Sequence, residues 1–171
     1  MSLQKLMSNY SAYNAWANGK IISFLRTKPK QTWYQEVPSS YNSIVGTLNH
    51  ILATQEYWYS VITKTVNTST RWNNESPDAE EVFDFLTRHS NLMTETFRQF
   101  SEEELSKTIL IESPWFTSNL PRYEYIQQVL NHSVYHRGQV VTIGRNLGFT
   151  DAPNTDYNFY NVEMVAITDR K

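Results

Sequence analysis

Two histidines lie four residues apart in the segment VLNHSVYHRG, residues 129–138, of a 171-residue chain that has four histidines in all. The three- and four-residue spacing around them is that of one helix face. This face carries Val129, His132, His136, Val140, Ile143 and Leu147. Side chains four apart have β-carbons about 5–6 Å from each other on a helix. His132 and His136 can therefore turn toward one point, which suits a divalent metal bound at about 2.0–2.1 Å per nitrogen.

The same spacing also fits two buried histidines that only hydrogen-bond to their neighbours. It is not the zinc-protease motif, because Ser133 occupies the position at which that motif has a glutamate as general base. Two protein ligands hold a transition metal poorly, so a third ligand is expected from another helix. The candidates are His50, His89 and the carboxylate of Glu56.

His50 is the favoured third ligand because it lies on a mixed, pocket-like face of its helix, with Thr47, Thr54 and Tyr57. His89 has mostly polar neighbours one turn away in either direction and is more simply interpreted as a lone histidine. Near the histidine pair, Tyr135 and Gln139 are close enough to support the ligands or to contact a substrate.

Four further residues are weaker candidates. Trp16 and Asn14 could line the same pocket, although Trp16 is more simply interpreted as part of the core. Arg137 and Arg145 could bind an anionic thiol cofactor, but solvated surface arginines are the simpler interpretation.

The composition excludes several classes of function. The chain has 15 basic and 17 acidic residues and no cysteine, so it has no disulfide, no cysteine nucleophile and no thiolate metal ligand. No basic run is present, which argues against a nucleic-acid or membrane-surface partner. The N-terminal segment has no apolar core of a signal peptide, and no stretch reaches the roughly 18 apolar residues of a membrane span. A soluble, cytoplasmic protein is predicted.

Amphipathic patterns predict an all-α four-helix bundle that forms one domain over residues 1–171. The predicted helices run from Leu3 to Leu25, from Ser43 to Thr65, from a Ser76–Pro77 start to about Phe100, and from Arg122 to Leu147, with Gly148 as the C-terminal cap. A capping box of Ser101 and Glu104 predicts a short helical turn. Residues 107–122 then form either a short hairpin or a crossover loop, and the aromatic tail is expected to pack on the body.

Four stretches, taken together in order, resemble the DinB/YfiT-like superfamily of metal-dependent proteins. They are YNAWANGKII (13–22), VGTLNHILATQEYWY (45–59), YIQQVLNHSVYHRGQVVTIGRNLG (125–148) and PNTDYNFY (153–160). The most specific element is one histidine in the second helix plus a His-x-x-x-His pair in the last. The resemblance implies a bundle with a long connection between the second and third helices and a homodimeric assembly. It also implies a zinc, nickel or iron site made by His50, His132 and His136.

Three neutral imidazoles would leave the metal its full charge and an open position, which is the pattern of a catalytic site. Such a metal lowers the pKa of bound water to about 7 and deprotonates a coordinating thiol. Two branches of the superfamily, the bacillithiol transferases and the mycothiol-dependent isomerases, use low-molecular-weight thiols. The leading hypothesis is therefore an enzyme that activates a low-molecular-weight thiol, or water, to attack a small-molecule electrophile.

The residues that would contact the substrate in this hypothesis are Thr54, Tyr57, Tyr135 and Gln139. No residue presents itself as a general base, which favours a thiol nucleophile over water. A metal-dependent hydrolase and a non-catalytic stress protein that binds a metal or a small ligand are the alternatives.

Overall fold

Four long helices form the body of the protein in the computed structural model, which describes residues 2–74, 76–114 and 116–168. These helices are α1 (Leu3–Leu25), α2 (Ile44–Thr63), α3 (Ala79–Gln99) and α5 (Arg122–Asn146), and the shorter elements are α4 (Glu102–Ser106), β1 (Thr108–Glu112), β2 (Thr117–Pro121) and α6 (Tyr157–Thr168). The predicted all-α bundle is confirmed. Glu75 and Trp115, which belong to the predicted loop and hairpin, lie outside the described residues.

The core forms between helices that are not all neighbours in sequence. Helix α1 packs mainly on α3, and α2 packs on both α3 and α5. Helices α2 and α5 are antiparallel, because His50 near the start of α2 meets His136 while Ile62 near its end accepts a hydrogen bond from Arg122 at the start of α5. The central apolar cluster includes Ile21, Leu25, Leu48, Ile51, Leu52, Phe83, Leu86, Val140 and Ile143.

Side-chain caps set the beginning of each helix in the first part of the chain. Ser43 Oγ accepts a hydrogen bond from the Gly46 amide at 3.0 Å, which begins α2 close to its predicted start. The predicted start of α3 at Ser76–Pro77 is wrong. Asp78 caps this helix instead, because its carboxylate accepts a hydrogen bond from the Glu81 amide at 2.9 Å. Its negative charge also interacts favourably with the positive end of the helix dipole.

A two-stranded antiparallel hairpin connects α4 to α5, which confirms the hairpin alternative. Its register pairs Thr108 with Pro121 and Glu112 with Thr117. The hydroxyl of Tyr125 in α5 anchors the hairpin, since it accepts from the Leu120 amide at 3.1 Å and donates to the Ile109 carbonyl at 3.0 Å. The strands are therefore fixed to the helix that carries the histidine pair.

The aromatic tail packs on the body, as predicted, and forms helix α6 against α1. Tyr13 of α1 and Tyr160 of α6 are both buried in this contact. Trp16 belongs to the same contact, because its ring lies against Tyr160 and its Nε1 donates to Glu163 at 3.3 Å. The suggestion that Trp16 lines the histidine pocket is therefore wrong, and its interpretation as a packing residue is correct. Within the part of the chain that the structure describes, no helix combines the length and the apolar character that crossing a bilayer requires.

Candidate metal centre

Helices α2 and α5 bring three histidines together, His50 from α2 and His132 and His136 from α5, which we call the three-histidine cluster. The Nε2 atom of His132 lies 3.1 Å from Nε2 of His50 and 3.1 Å from Nε2 of His136. One ligand nitrogen from each residue lies within 4.8 Å of the others. Nitrogens at 2.0–2.1 Å from a tetrahedral metal are about 3.3–3.4 Å apart, so these separations are close to those of a three-nitrogen metal site.

Gln139 fixes the tautomer of one histidine in the cluster. Its amide oxygen lies 2.8 Å from Nδ1 of His136, and because an amide oxygen only accepts, Nδ1 carries the proton. The Nε2 atom of His136 therefore presents a lone pair to the cluster. The amide nitrogen of Gln139 donates to the Ser40 hydroxyl at 3.3 Å, which holds the amide in this orientation. Support of this kind is typical of metal-binding histidines.

Burial favours the neutral, metal-binding form of the three imidazoles. Desolvation, together with the charges of the other two histidines, lowers the pKa of His50 from 6.5 to about 3. Desolvation and the neighbouring His136 lower the pKa of His132 to about 4. The pKa of His136 is also lowered by desolvation, and the hydrogen bond that His136 donates to Gln139 opposes this shift. At neutral pH the cluster is therefore uncharged.

The protons available to the cluster cannot satisfy all three Nε2 atoms at once. His136 contributes a lone pair, and His132 has only one Nε2 position with which to meet two neighbours. The other ring nitrogen of His132, Nδ1, is buried and has no hydrogen-bond partner among the described residues. When His50 and His132 adopt the same tautomer as His136, three Nε2 lone pairs face one another, and this arrangement fits a single cation better than three mutual contacts. The donor set therefore fits a divalent metal.

Two aromatic side chains that the sequence did not reveal flank the cluster. The ring of Tyr41 is stacked on the His50 ring at a centroid distance of 4.0 Å, and its hydroxyl oxygen lies 2.9 Å from Nε2. Because the rings are nearly parallel, this oxygen lies above the imidazole plane and leaves the in-plane lone pair of Nε2 free. The edge of Trp72 meets the same imidazole at 5.6 Å. Tyr41 and Trp72 line a cleft of about 200 Å³ that ends on His50.

The predicted substrate-contact residues differ in how close they lie to the cluster. Gln139 hydrogen-bonds to it, and the ring of Tyr135 packs edge-on against His136 at 4.9 Å while the side chain is 65% exposed. Thr54 lies one helical turn after His50, and its buried hydroxyl has no partner among the described residues. Tyr57 packs against Trp58. Contact with a substrate stays a prediction for all four.

The structure places the other candidate ligands in a second location. Glu56 forms an ion pair with Arg71 at 3.1 Å and a hydrogen bond with Ser69. The ring of His89 packs edge-on against Tyr59 at 5.3 Å. These contacts hold Glu56 and His89 in a cleft between α2, α3 and residues 65–74, apart from the three-histidine cluster.

Arg137 is buried, and the expectation that it is a solvated surface residue is wrong. Only 2% of its surface is exposed, and its guanidinium donates to the side-chain oxygens of Asn14 at 2.6 Å and Asn18 at 2.9 Å. The ring of Tyr13 lies under the guanidinium, 5.5 Å from it. Asn14 therefore binds Arg137 rather than lining the histidine pocket. Arg145 is exposed, as expected.

The Arg137 contacts continue as a buried polar network that joins all four long helices. Asn18 donates to the Ser90 hydroxyl at 2.9 Å, and Ser90 donates to the Gln55 amide oxygen at 3.2 Å. The Gln55 amide nitrogen in turn donates to Ser133 at 3.3 Å. Ser133 and Arg137 each follow one of the two α5 histidines in sequence. The network therefore fixes the rotation of α5 that directs both histidines toward α2.

Comparison with known proteins agrees with this architecture. The family model described as the DinB family matches residues 1–168. The Protein DinB of Bacillus subtilis (strain 168) is 31% identical over 158 residues, which is 86% of this chain and 89% of that protein. Two solved structures share the fold at lower identity. A DinB-like protein from Bacillus cereus ATCC 10987 has a TM-score of 0.66 at 17% identity, over 84% of this chain and 91% of its own. A DinB-like protein from Bacillus subtilis has a TM-score of 0.64 at 16% identity, over 88% and 98%. The chain belongs to the DinB family.

Proposed function

We propose that this protein is a metal-dependent enzyme that activates a small thiol, with water as the alternative nucleophile, for attack on a small-molecule electrophile. The observation that carries the proposal is the convergence of three neutral imidazole nitrogens from α2 and α5. His50, His132 and His136 would hold zinc, nickel or iron. When bound, such a metal supplies the charge that deprotonates a thiol at neutral pH.

The electrostatics of the cluster support a thiol as the nucleophile. Among the described residues, the polar contacts of the cluster come from Tyr41 and Gln139, and no carboxylate takes part that could serve as a general base. A water nucleophile gains more from such a base than a thiol does, because the thiol is much the stronger acid. The sulfur forms a bond to the electrophilic carbon, the leaving group departs with its bonding pair, and the thiol proton goes to solvent.

Tyr41 is the residue that we expect to donate a proton at the centre. Burial raises the pKa of its hydroxyl, so the group stays protonated at neutral pH. Its oxygen is 2.9 Å from His50 Nε2, and both residues line the cleft. Trp72 and Tyr41 both line this cleft. Thr54, Tyr57 and Tyr135 are proposed to contact the substrate.

Elemental analysis and a turnover assay on the same samples test the proposal. We expect about one metal per chain in the purified, tag-free protein, and loss of that metal in the alanine variants of His50, His132 and His136. His89→Ala is the matched control, because this fourth histidine lies outside the cluster. Unchanged metal content in His136→Ala, or no metal after reconstitution with zinc, nickel and iron, would remove the basis of the proposal.

Addition of a thiol separates the proposed activity from its alternatives. Turnover of a chlorinated aromatic or an epoxide only in the presence of a thiol supports the thiol-dependent reaction. Ester or amide cleavage without a thiol instead identifies a hydrolase, and tight ligand retention without turnover identifies a binding protein.

We further propose that the chain is a single domain, forms a homodimer and acts in the cytoplasm. The homodimer is taken from the family resemblance alone, and the location from a sequence without a signal-peptide core or, among the described residues, a helix that could cross a membrane. Light scattering coupled to size-exclusion chromatography tests the dimer directly, because a 20.1 kDa chain gives a mass of about twice that value when two copies associate.

A further inference from the structure

A third cleft lies between the hairpin and the α2–α5 pair, and nothing in the proposed reaction yet uses it. Its volume is about 390 Å³. Trp58 of α2, Phe116 and Leu120 of the hairpin, and Gln128 and Asn131 of α5 line it. We call it the hairpin cleft.

The hairpin cleft lies along the same pair of helices as the three-histidine cluster. Trp58 follows His50 by eight residues, which corresponds to about 12 Å along α2. On the antiparallel helix, Asn131 directly precedes His132, and Gln128 lies one helical turn before it. The hairpin cleft and the three-histidine cluster are therefore about one to two helical turns apart along α2 and α5.

The cleft has flat aromatic walls and neutral hydrogen-bonding groups. The rings of Trp58 and Phe116 are inclined by only 24°, with centroids 6.4 Å apart, and the Tyr125 ring stacks with Trp58 at 5.5 Å. The Oδ1 atom of Asn131 accepts from the Tyr10 hydroxyl at 2.7 Å, so its amide N–H groups are the part that can donate to a ligand. Aromatic walls with a few amides suit a planar ring that carries polar substituents.

The charge of the cleft narrows the class of ligand further. Glu124 is the charged residue among the described residues that line it, and none of these is a lysine, arginine or histidine. A ligand with a negative charge would therefore meet a carboxylate with no compensating cation. A neutral or positively charged ring would not meet this repulsion.

We propose that the hairpin cleft binds a planar aromatic group that is neutral or positively charged, and that this group is the remote part of the substrate attacked at the three-histidine cluster. The binding step stands on the cleft alone, whereas its connection to the reaction rests on the proposed function. The proposal excludes anionic aromatic compounds as good substrates. It also assigns to the hairpin a role in substrate selection.

Three probes of one shape test the charge preference. They are 4-nitrobenzylamine, 4-nitrobenzyl alcohol and 4-nitrobenzoate, each titrated into the full-length protein by NMR at neutral pH. We expect the amine to bind at least as tightly as the alcohol, and the benzoate to bind several-fold more weakly than both. In Glu124→Gln we expect the amine to lose about threefold in affinity while the alcohol is unchanged, since an exposed charge pair contributes little more than this. Tightest binding of the benzoate would overturn the proposal.

A matched pair of leucine variants tests the location. Leu120 lines the cleft and is 44% exposed, whereas Leu110 is on the same hairpin, is 58% exposed and lies outside the cleft. We expect Leu120→Ala to weaken binding of the alcohol by about fivefold, because apolar contact with the ring is lost. Leu110→Ala should bind like the wild type. Equal effects of both substitutions, or no effect of Leu120→Ala, would overturn the assignment.

The same titrations in His50→Ala separate this inference from the proposed function. If this variant binds the probes with the affinity of the wild type, the result supports ligand binding in the hairpin cleft. This conclusion does not depend on the metal content of the variant. If the wild type binds metal and turns over substrate with a thiol but binds none of the probes, the assignment of ligand binding to the hairpin cleft is overturned. The proposed function is then unaffected.

Discussion

Replacement of Arg137 by alanine should destabilise the protein by about 3 kcal/mol. The substitution leaves two buried amide oxygens, those of Asn14 and Asn18, without their charged donor. A buried polar group without a partner costs about 1–3 kcal/mol. The cavity left by the side chain adds to this cost. Removal of a buried cation that has no carboxylate partner among the described residues offsets part of this cost, because desolvation of that cation is itself unfavourable.

Urea unfolding of the metal-free protein at neutral pH measures this free energy without a contribution from bound metal. The corresponding fall in melting temperature is about 6–12 °C for a chain of this size. Arg145→Ala is the matched control on the same helix, and because Arg145 is exposed we expect its effect to stay within about 0.5 kcal/mol. A change of no more than about 0.5 kcal/mol in the free energy of unfolding of Arg137→Ala would refute the argument that the network stabilises the bundle.

Three further predictions follow from the site and the helices. The metal-free protein should lose stability as pH falls from about 6.5 toward 3. Burial holds the pKa of two cluster imidazoles at about 3 and about 4, whereas the same side chains take up protons near 6.5 in the unfolded chain. Acid titration followed by circular dichroism, compared with the triple alanine variant of the cluster, measures this loss. Gln139→Leu should weaken metal binding by about 10- to 100-fold, as measured by competition with a chelator, because it removes the acceptor that orients one ligand; unchanged affinity would contradict that role. Gly46→Ala should destabilise the protein, because the added β-carbon would lie 2.6 Å from the backbone oxygen of Tyr41. Gly19→Ala should instead stabilise the protein by about 0.5–1 kcal/mol, because its β-carbon meets no described atom within 4 Å. Thermal melts measure both effects.

The helical part of the site could be predicted because helix geometry is periodic. The four-residue spacing of His132 and His136 places both side chains on one face of any helix that contains them. His50 was predicted from the mixed character of its own face and from the family resemblance. Their convergence in the structure follows from the antiparallel packing of α2 on α5.

Tyr41 and Trp72 could not be predicted in the same way. Both lie in irregular segments, where no repeat relates the position of a residue in the sequence to its direction in space. Tyr41 precedes the predicted second helix, and Trp72 lies between the predicted second and third helices. The available signal was a large aromatic residue in an otherwise polar stretch, since such a side chain needs an apolar contact.

Arg137 shows a different limit. It lies on a face of α5 that also carries Leu130, Ser133 and Gly144, and all of these are buried. Helix α5 is covered on more than one side, so the histidine face is not its only inward face. Arginine is mostly exposed in proteins, so its residue type predicted a surface position although its spacing places it on a buried helix face. The Asn14 and Asn18 oxygens that make burial possible are more than a hundred residues away in sequence.

The cluster and its walls come from different kinds of structure, and this division has an evolutionary consequence. The three histidines belong to long helices whose other faces form the core, so changes around them affect the stability of the whole bundle. The walls formed by Tyr41 and Trp72 belong to connecting segments that contribute little to the core. Substitutions or insertions in these segments can change which molecules are accepted while leaving the centre and the fold intact. We therefore expect natural or laboratory selection for a new substrate to accumulate changes in residues 34–39, 41–42 and 64–77 before it alters α2, α5 or the helix caps Ser43 and Asp78.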